Sequence, residues 1–66
     1  MQLVINGERR EVPEAITAEQ LIELLGLTNK RLALEANREI VPRSAFETHI
    51  FSPGDQIEIV QAIGGG

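Results

Sequence analysis

The sequence predicts a small α+β domain: a mixed sheet of four to five strands in the order β-β-α-β-β-β, with one helix packed across it. That expectation rests on an Asn6-Gly7 pair between two strand-like runs, on Thr17-Ala18-Glu19-Gln20 opening a single helix, and on the alternating run Gln56-Ile57-Glu58-Ile59-Val60-Gln61-Ala62-Ile63. At 66 residues, a single domain buries only about 60% of the surface its unfolded chain exposes. All the elements must therefore share one core.

The first strand covers Met1 to Ile5, with Leu3 and Ile5 on one parity and Val4 on the other. Asn-Gly next to it is a strong hairpin signal, because both central residues of a type I′ turn need positive φ. The return strand is about Glu8–Val12 and is stopped by Pro13. Thr17 as N-cap with Gln20 three residues on fits a capping box, so a helix runs from about Ala18 to Leu25. Leu21, Leu24 and Leu25 are expected as its buried stripe with Ile22 alongside, and Gly26 as its left-handed cap. Eight residues are too few to hold a helix in water, so it must lie on the sheet.

Leu32-Ala33-Leu34-Glu35-Ala36 reads as a strand, Asn37-Arg38-Glu39 as a turn, and Ile40-Val41 as a short edge strand ended by Pro42. Ser44 is expected to cap a single turn that carries Phe46 and Ile50 toward the core. Ser52-Pro53-Gly54-Asp55 is turn chemistry and delivers the chain into the last strand. In that strand Ile57 and Ile59 share one parity, and Glu58, Val60 and Ala62 the other.

Composition excludes several classes. Net charge is −4 and the aromatics are Phe46 and Phe51 alone, so neither phosphate neutralisation nor base stacking favours nucleic acid as a partner. Cysteine is absent, which removes disulfides, thiolate metal sites and thiol nucleophiles. No stretch approaches the ~20 apolar residues of a membrane span, and the Leu3-Val4-Ile5 run is too short for a signal sequence. A cytoplasmic protein, monomeric when free, with no membrane partner, no metal and no bound cofactor is expected.

Three of the six glycines are Gly64, Gly65 and Gly66. Glycine loses the most conformational freedom on ordering and has no side chain to bury, so this run does not serve packing. The expected division is a folded domain over residues 1–63 and a flexible tail over 64–66. Extended, that tail reaches roughly 10 Å, at about 3.3–3.6 Å per residue, and passes where a branched residue is blocked. A frayed end or a glycine scar is the alternative. The run cannot be a phosphate loop, since no helix follows it.

Two strands before the only helix and a long strand after it are best accommodated by placing the first and last strands side by side and parallel at the sheet centre, with the helix over one face. This is the β-grasp arrangement. The start Met1-Gln2-Leu3-Val4-Ile5-Asn6-Gly7, the middle Ala36-Asn37-Arg38-Glu39-Ile40-Val41-Pro42-Arg43, and the end Gly54-Asp55-Gln56-Ile57-Glu58-Ile59-Val60 with Ile63-Gly64-Gly65-Gly66 resemble the ThiS family of ubiquitin-like β-grasp sulfur carriers of thiamin thiazole synthesis. The resemblance covers the full length. It implies that an E1-like adenylyltransferase activates the Gly66 carboxylate with ATP. A sulfur donor, a cysteine desulfurase or similar, then converts the adenylate to a thiocarboxylate, and thiazole synthase takes the sulfur. The chain would be carrier and cosubstrate, without catalytic residues of its own.

Related readings stay open: the small subunit of molybdopterin synthase, a conjugating ubiquitin-like modifier, or a non-covalent β-grasp binding module with an incidental tail. Val4, Val60 and Ala62, on the face away from the helix, together with Ile63, form the candidate docking patch. His49 stands without metal-ligand companions and reads as structural. Glu19 and Glu23 read as solubilising charge on the exposed helix face, and Asp55 as a local turn acceptor.

Overall fold

The computed structural model describes residues 1–62, so Ile63, Gly64, Gly65 and Gly66 lie outside the described residues. Strand β1 (Gln2–Ile5) pairs antiparallel with β2 (Glu8–Glu11) through the two-residue turn Asn6-Gly7, both at positive φ as a type I′ turn requires. Helix α1 (Ala18–Leu24) follows, then β3 (Leu32–Ala36), β4 (Glu39–Val41), a 3₁₀ turn at Arg43–Ala45, and β5 (Gln56–Gln61). The strands form one sheet in the order β2-β1-β5-β3-β4. The first and last strands are parallel neighbours, with Val4 level with Gln56 and Ile5 with Ile57. This is the β-grasp topology expected from the sequence.

Local chemistry sets the helix ends. The Thr17 hydroxyl accepts from Gln20 N–H at 3.2 Å, and the Gln20 side chain accepts from Thr17 N–H at 3.0 Å. Gly26 at φ +73 ends the helix, its N–H donating to Glu23 O at 3.0 Å while Leu27 N–H reaches Ile22 O at 2.9 Å. These two bonds complete a Schellman motif and satisfy carbonyls that the last turn would leave open.

The buried face of the helix differs from the one expected. Ala18, Leu21 and Ile22 are buried, whereas Leu24 is 45% exposed. The stripe begins at Ala18 and continues through Leu21, Ile22 and half-buried Leu25, the i, i+3, i+4, i+7 spacing of one helix face. Leu24 falls off that stripe by most of a right angle.

Two other expectations also fail. Ser44 is not a cap, because Pro42 occupies the N-cap position of the 3₁₀ turn and no side chain caps it. Ile50 is 57% exposed, and Phe51 goes into the core instead. Ile50 is held extended by an isolated bridge to Thr17, with Phe51 N–H donating to Ile16 O at 3.1 Å. Extended chain sends neighbouring side chains to opposite faces, so burying Phe51 turns Ile50 outward. The second hairpin turns at Asn37-Arg38, both at positive φ, so Glu39 belongs to β4, where it pairs with Ala36.

Leu3 and Ile5 of β1, Leu34 and Ala36 of β3, Val41 of β4, and Ile57 and Ile59 of β5 face Ala18, Leu21 and Ile22, with Val12, Ile16, Phe46 and Phe51 closing the rim. The edge strand β2 is Glu-Arg-Arg-Glu and exposed throughout, a charged edge that resists pairing with other chains. Truncating Ile59 to Ala leaves a cavity and should lower unfolding stability by about 2–5 kcal/mol. Val60→Asp, one residue on and facing out, should change it by no more than about 0.5 kcal/mol. Urea denaturation of both variants checks the register, and exchanged phenotypes would shift β5 by one residue.

Candidate functional site

β5 is the strand that runs into the terminal glycines, and both of its sides are bonded. On one side Val4 N–H donates to Asp55 O at 3.0 Å and Asn6 N–H to Ile57 O at 2.8 Å. On the other, the antiparallel pairing with β3 runs from Ala36 opposite Ile57 to Leu32 opposite Gln61, and Ala62 N–H donates to Arg31 O at 2.9 Å. The turn that feeds β5 is tied down by Asp55, which accepts from Ser52 N–H at 2.9 Å and from Asn37 Nδ2 at 3.1 Å. Gln56 N–H in turn donates to Asn37 Oδ1 at 3.0 Å. Asp55 thus makes the local turn bond read from sequence and a second, longer-range bond that was not.

Alternation along β5 divides its side chains. Ile57 and Ile59 enter the core, and Val60, 64% exposed, faces away from the helix. Ala62 is exposed just past the strand. Val4 also lies on the open side, opposite Arg9 of β2, but it is half-buried and level with Gln56. Four residues along a strand separate that level from Val60, about 13 Å at 3.3 Å per residue. Val4 therefore does not join Val60 in one compact patch.

The neighbour of Val60 is instead Ala33, directly opposite on β3 and exposed; Ile40 of β4, 72% exposed, lies on the next rung of the same face, level with Glu35 and Glu58. Neither was singled out from the sequence. The parity of Ile40 becomes meaningful only once β4 is registered on β3 and β3 on β5. Next to this apolar group Glu58 stands directly opposite Glu35, a like-charge pair of the kind that destabilises a sheet locally. Of the candidate docking residues, the structure places Val60 and Ala62 on the open side at the outgoing end of β5; Ile63 and Gly64 to Gly66 are outside the described residues.

His49 is half-buried and sits edge-on to Phe51, with ring centroids 5.0 Å apart at 67°. Its N–H donates to Ala45 O at 2.8 Å and its carbonyl accepts from Ala18 N–H at 2.9 Å, the structural role expected. Glu19 and Glu23 are exposed on the helix. Among the described residues no three His, Cys, Asp or Glu side chains are placed to hold a metal ion, and no helix is long and apolar enough to cross a membrane.

A five-stranded mixed sheet grasping one helix, with its central strand leading to a glycine-terminated segment, defines a ubiquitin-like β-grasp protein. Residues 3–66 match the ThiS family, and the chain belongs to that family. It is 36% identical to the sulfur carrier protein ThiS of Escherichia coli strain K12 over the whole length of both. It is 46% identical over all 66 residues to a thiazole synthase of Paramagnetospirillum magneticum, of whose length it spans only about a fifth, 20%. The crystal structure of the thiamine biosynthesis protein ThiS from Geobacter metallireducens superposes with a TM-score of 0.86 at 29% identity, covering both chains completely.

The Glu35–Glu58 pair generates a test of the open face. Glu58→Lys should raise unfolding stability by about 0.2–1 kcal/mol by exchanging repulsion for attraction across the strands. Thermal melts at low and high salt check it, and the gain should shrink at high ionic strength.

Proposed function

We propose that this chain is a sulfur carrier of thiamin biosynthesis and that its modified residue is Gly66. At neutral pH a terminal carboxylate, with an ordinary pKa of about 3.3–3.7, is ionised and a poor electrophile. In this reading an E1-like adenylyltransferase joins a carboxylate oxygen of Gly66 to the α-phosphorus of ATP and pyrophosphate leaves. The outer sulfur of a persulfide, such as that carried by a cysteine desulfurase, then attacks the acyl carbon and AMP leaves; a thiol attacks the resulting acyl disulfide, forming a new disulfide and releasing the thiocarboxylate for thiazole synthase. The chain acts as cosubstrate and the partner enzymes supply the catalysis.

The observation that carries this reading is the match to the ThiS family through residue 66, terminal glycines included. Full-length similarity to the Escherichia coli sulfur carrier supports it and favours thiazole synthesis over molybdopterin synthesis or protein conjugation. Regions 46% and 35% identical to this chain make up a fifth of the length, 20%, of two proteins named thiazole synthase, which supports that enzyme as the recipient. Gly64 and Gly65 give the arm its slimness. Val60, Ala62 and Ile63, extended to Ala33, form the surface through which partner enzymes grip the domain, with Ile40 one rung away and Val4 a separate contact at the other end of the open face.

Deleting Gly66, or replacing it with Ala, should abolish adenylation and leave the melting temperature unchanged, since a residue without a side chain adds nothing to the core. ATP–pyrophosphate exchange with the adenylating enzyme measures it, and full exchange in the deletion would sink the reading. Intact mass after incubation with ATP, the adenylating enzyme and a sulfur donor should rise by about 16 Da, the replacement of oxygen by sulfur in a terminal carboxylate. Val60→Asp should weaken binding to that enzyme by about 1–3 kcal/mol, the loss expected when an apolar anchor becomes an unpaired charge; titration calorimetry would measure the change.

A further inference from the structure

Strand β1 ends before β5 does. Its last main-chain bond to β5 runs from Asn6 N–H to Ile57 O at 2.8 Å, and the chain then reverses through Asn6-Gly7 into β2. Alternation directs the main-chain groups of Ile57, Ile59 and Gln61 toward β1, and those of Glu58 and Val60 toward β3. Past Ile57, then, β5 looks onto an open groove of about 430 Å³, whose walls include Arg9, Arg10, Leu25 and Gln61. The rung at Ile59 is nevertheless filled. Ile59 N–H donates to Asn6 Oδ1 at 2.8 Å, and Asn6 Nδ2 donates to Ile59 O at 3.2 Å.

A carboxamide offers the same donor and acceptor as a peptide group. Asn6 therefore extends the sheet by one rung without a further residue of strand. We infer that Asn6 is a positioning residue for the outgoing end of β5: by holding both main-chain groups of Ile59 across a separation of 53 residues, it sets the direction in which the segment bearing Gly66 leaves the domain. The inference rests on the reading of Gly66 as the modified residue.

The turn alone does not account for this asparagine. Glycine satisfies the backbone at φ +50 equally well, but it has no carboxamide. Aspartate also tolerates that backbone, but as a carboxylate it has no donor for Ile59 O. The two substitutions therefore separate the turn from the hold on β5. A core truncation on the far strand, Val41→Ala, lowers stability without removing any bond to β5 and serves as the control.

The experiment compares Asn6→Gly, Asn6→Asp and Val41→Ala with wild type at a temperature where all four are folded. Amide exchange and ¹⁵N relaxation report the hold on β5, and kcat and KM for adenylation by the E1-like enzyme report its use. Asn6→Gly should speed exchange at Ile59 by about tenfold or more and lower the order parameters of Gln61 and Ala62, with Leu3 and Leu34 unchanged. Adenylation kcat/KM should fall by about tenfold in both Asn6 variants, mostly through kcat, as expected when a reacting group is presented in the wrong direction. In Val41→Ala it should stay within about twofold of wild type. Unchanged exchange and order parameters in Asn6→Gly overturn the inference, and so does a loosened strand end with kcat/KM no lower than in Val41→Ala. A wild-type chain that is not adenylated overturns the Gly66 reading, while the exchange and relaxation comparison still decides whether Asn6 orients β5.

Discussion

Two asparagine carboxamides, one from each hairpin turn, close on the same strand. Asn37 grips β5 where it begins, through Gln56 and Asp55, and Asn6 grips it three residues on, at Ile59. The parallel pairing of β1 with β5 has only two registered residue pairs, so these side chains complete what the main chain leaves short. Each such bond contributes a net ~0.5–1.5 kcal/mol, a sizeable share of the stability of so small a domain. Both asparagines take positive φ, a conformation the residue tolerates because its short polar side chain bonds locally. The turn geometry that reverses each hairpin is also what aims its carboxamide at the centre of the sheet.

Holding β5 in the middle lets one strand serve two purposes. Ile57 and Ile59 fill the core, and Glu58 and Val60 present the open face. Period-two alternation keeps these roles apart, so a change on one parity leaves the other side in place. The like-charged Glu35 and Glu58 on the open face are no help to the isolated fold. An exposed Val60, Ala33 and Ile40 on the same face add nothing to the core either, which is consistent with the proposed contact surface.

Features with a local cause were legible in the sequence. Asn6-Gly7, the Thr17–Gln20 capping box, Gly26 and the strand-ending Pro42 each act within four residues of themselves, and each stands where the sequence put it. Even the parallel placement of the first and last strands followed from element order. The misses share a different cause. Leu24 reads as part of the buried stripe because a Leu-rich turn does not show which leucines face the sheet; Ala18 and Ile22, on the same face of the helix, take that position with Leu21 instead. Ile50 and Phe51 compete for one core position, and the bridge between Thr17 and Ile50 settles it. Val4 and Val60 share a face but stand four residues apart along β5, a stagger set by pairing across more than 50 residues of chain that no local pattern encodes. The second bond of Asp55 and the carboxamide of Asn6 depend on the same long-range register.

Recognition of an arm made only of glycine imposes a division of labour on the domain. Fixing the backbone of each residue costs about 1–2 kcal/mol, and Gly64, Gly65 and Gly66 offer an enzyme only main-chain groups in return. The contact free energy that offsets this must come from side chains elsewhere on the domain. Under the proposed function the open face supplies them, since Val60 precedes the glycines by only a few residues in sequence and pairs with exposed Ala33. In that reading a partner that grips this face also receives the segment bearing Gly66, and the hold of Asn6 on Ile59 sets how much of the contact free energy goes into redirecting the chain. Fold stability and the proposed docking and presentation of Gly66 thus draw on one strand, through its core parity, its open parity and its hydrogen-bonded end.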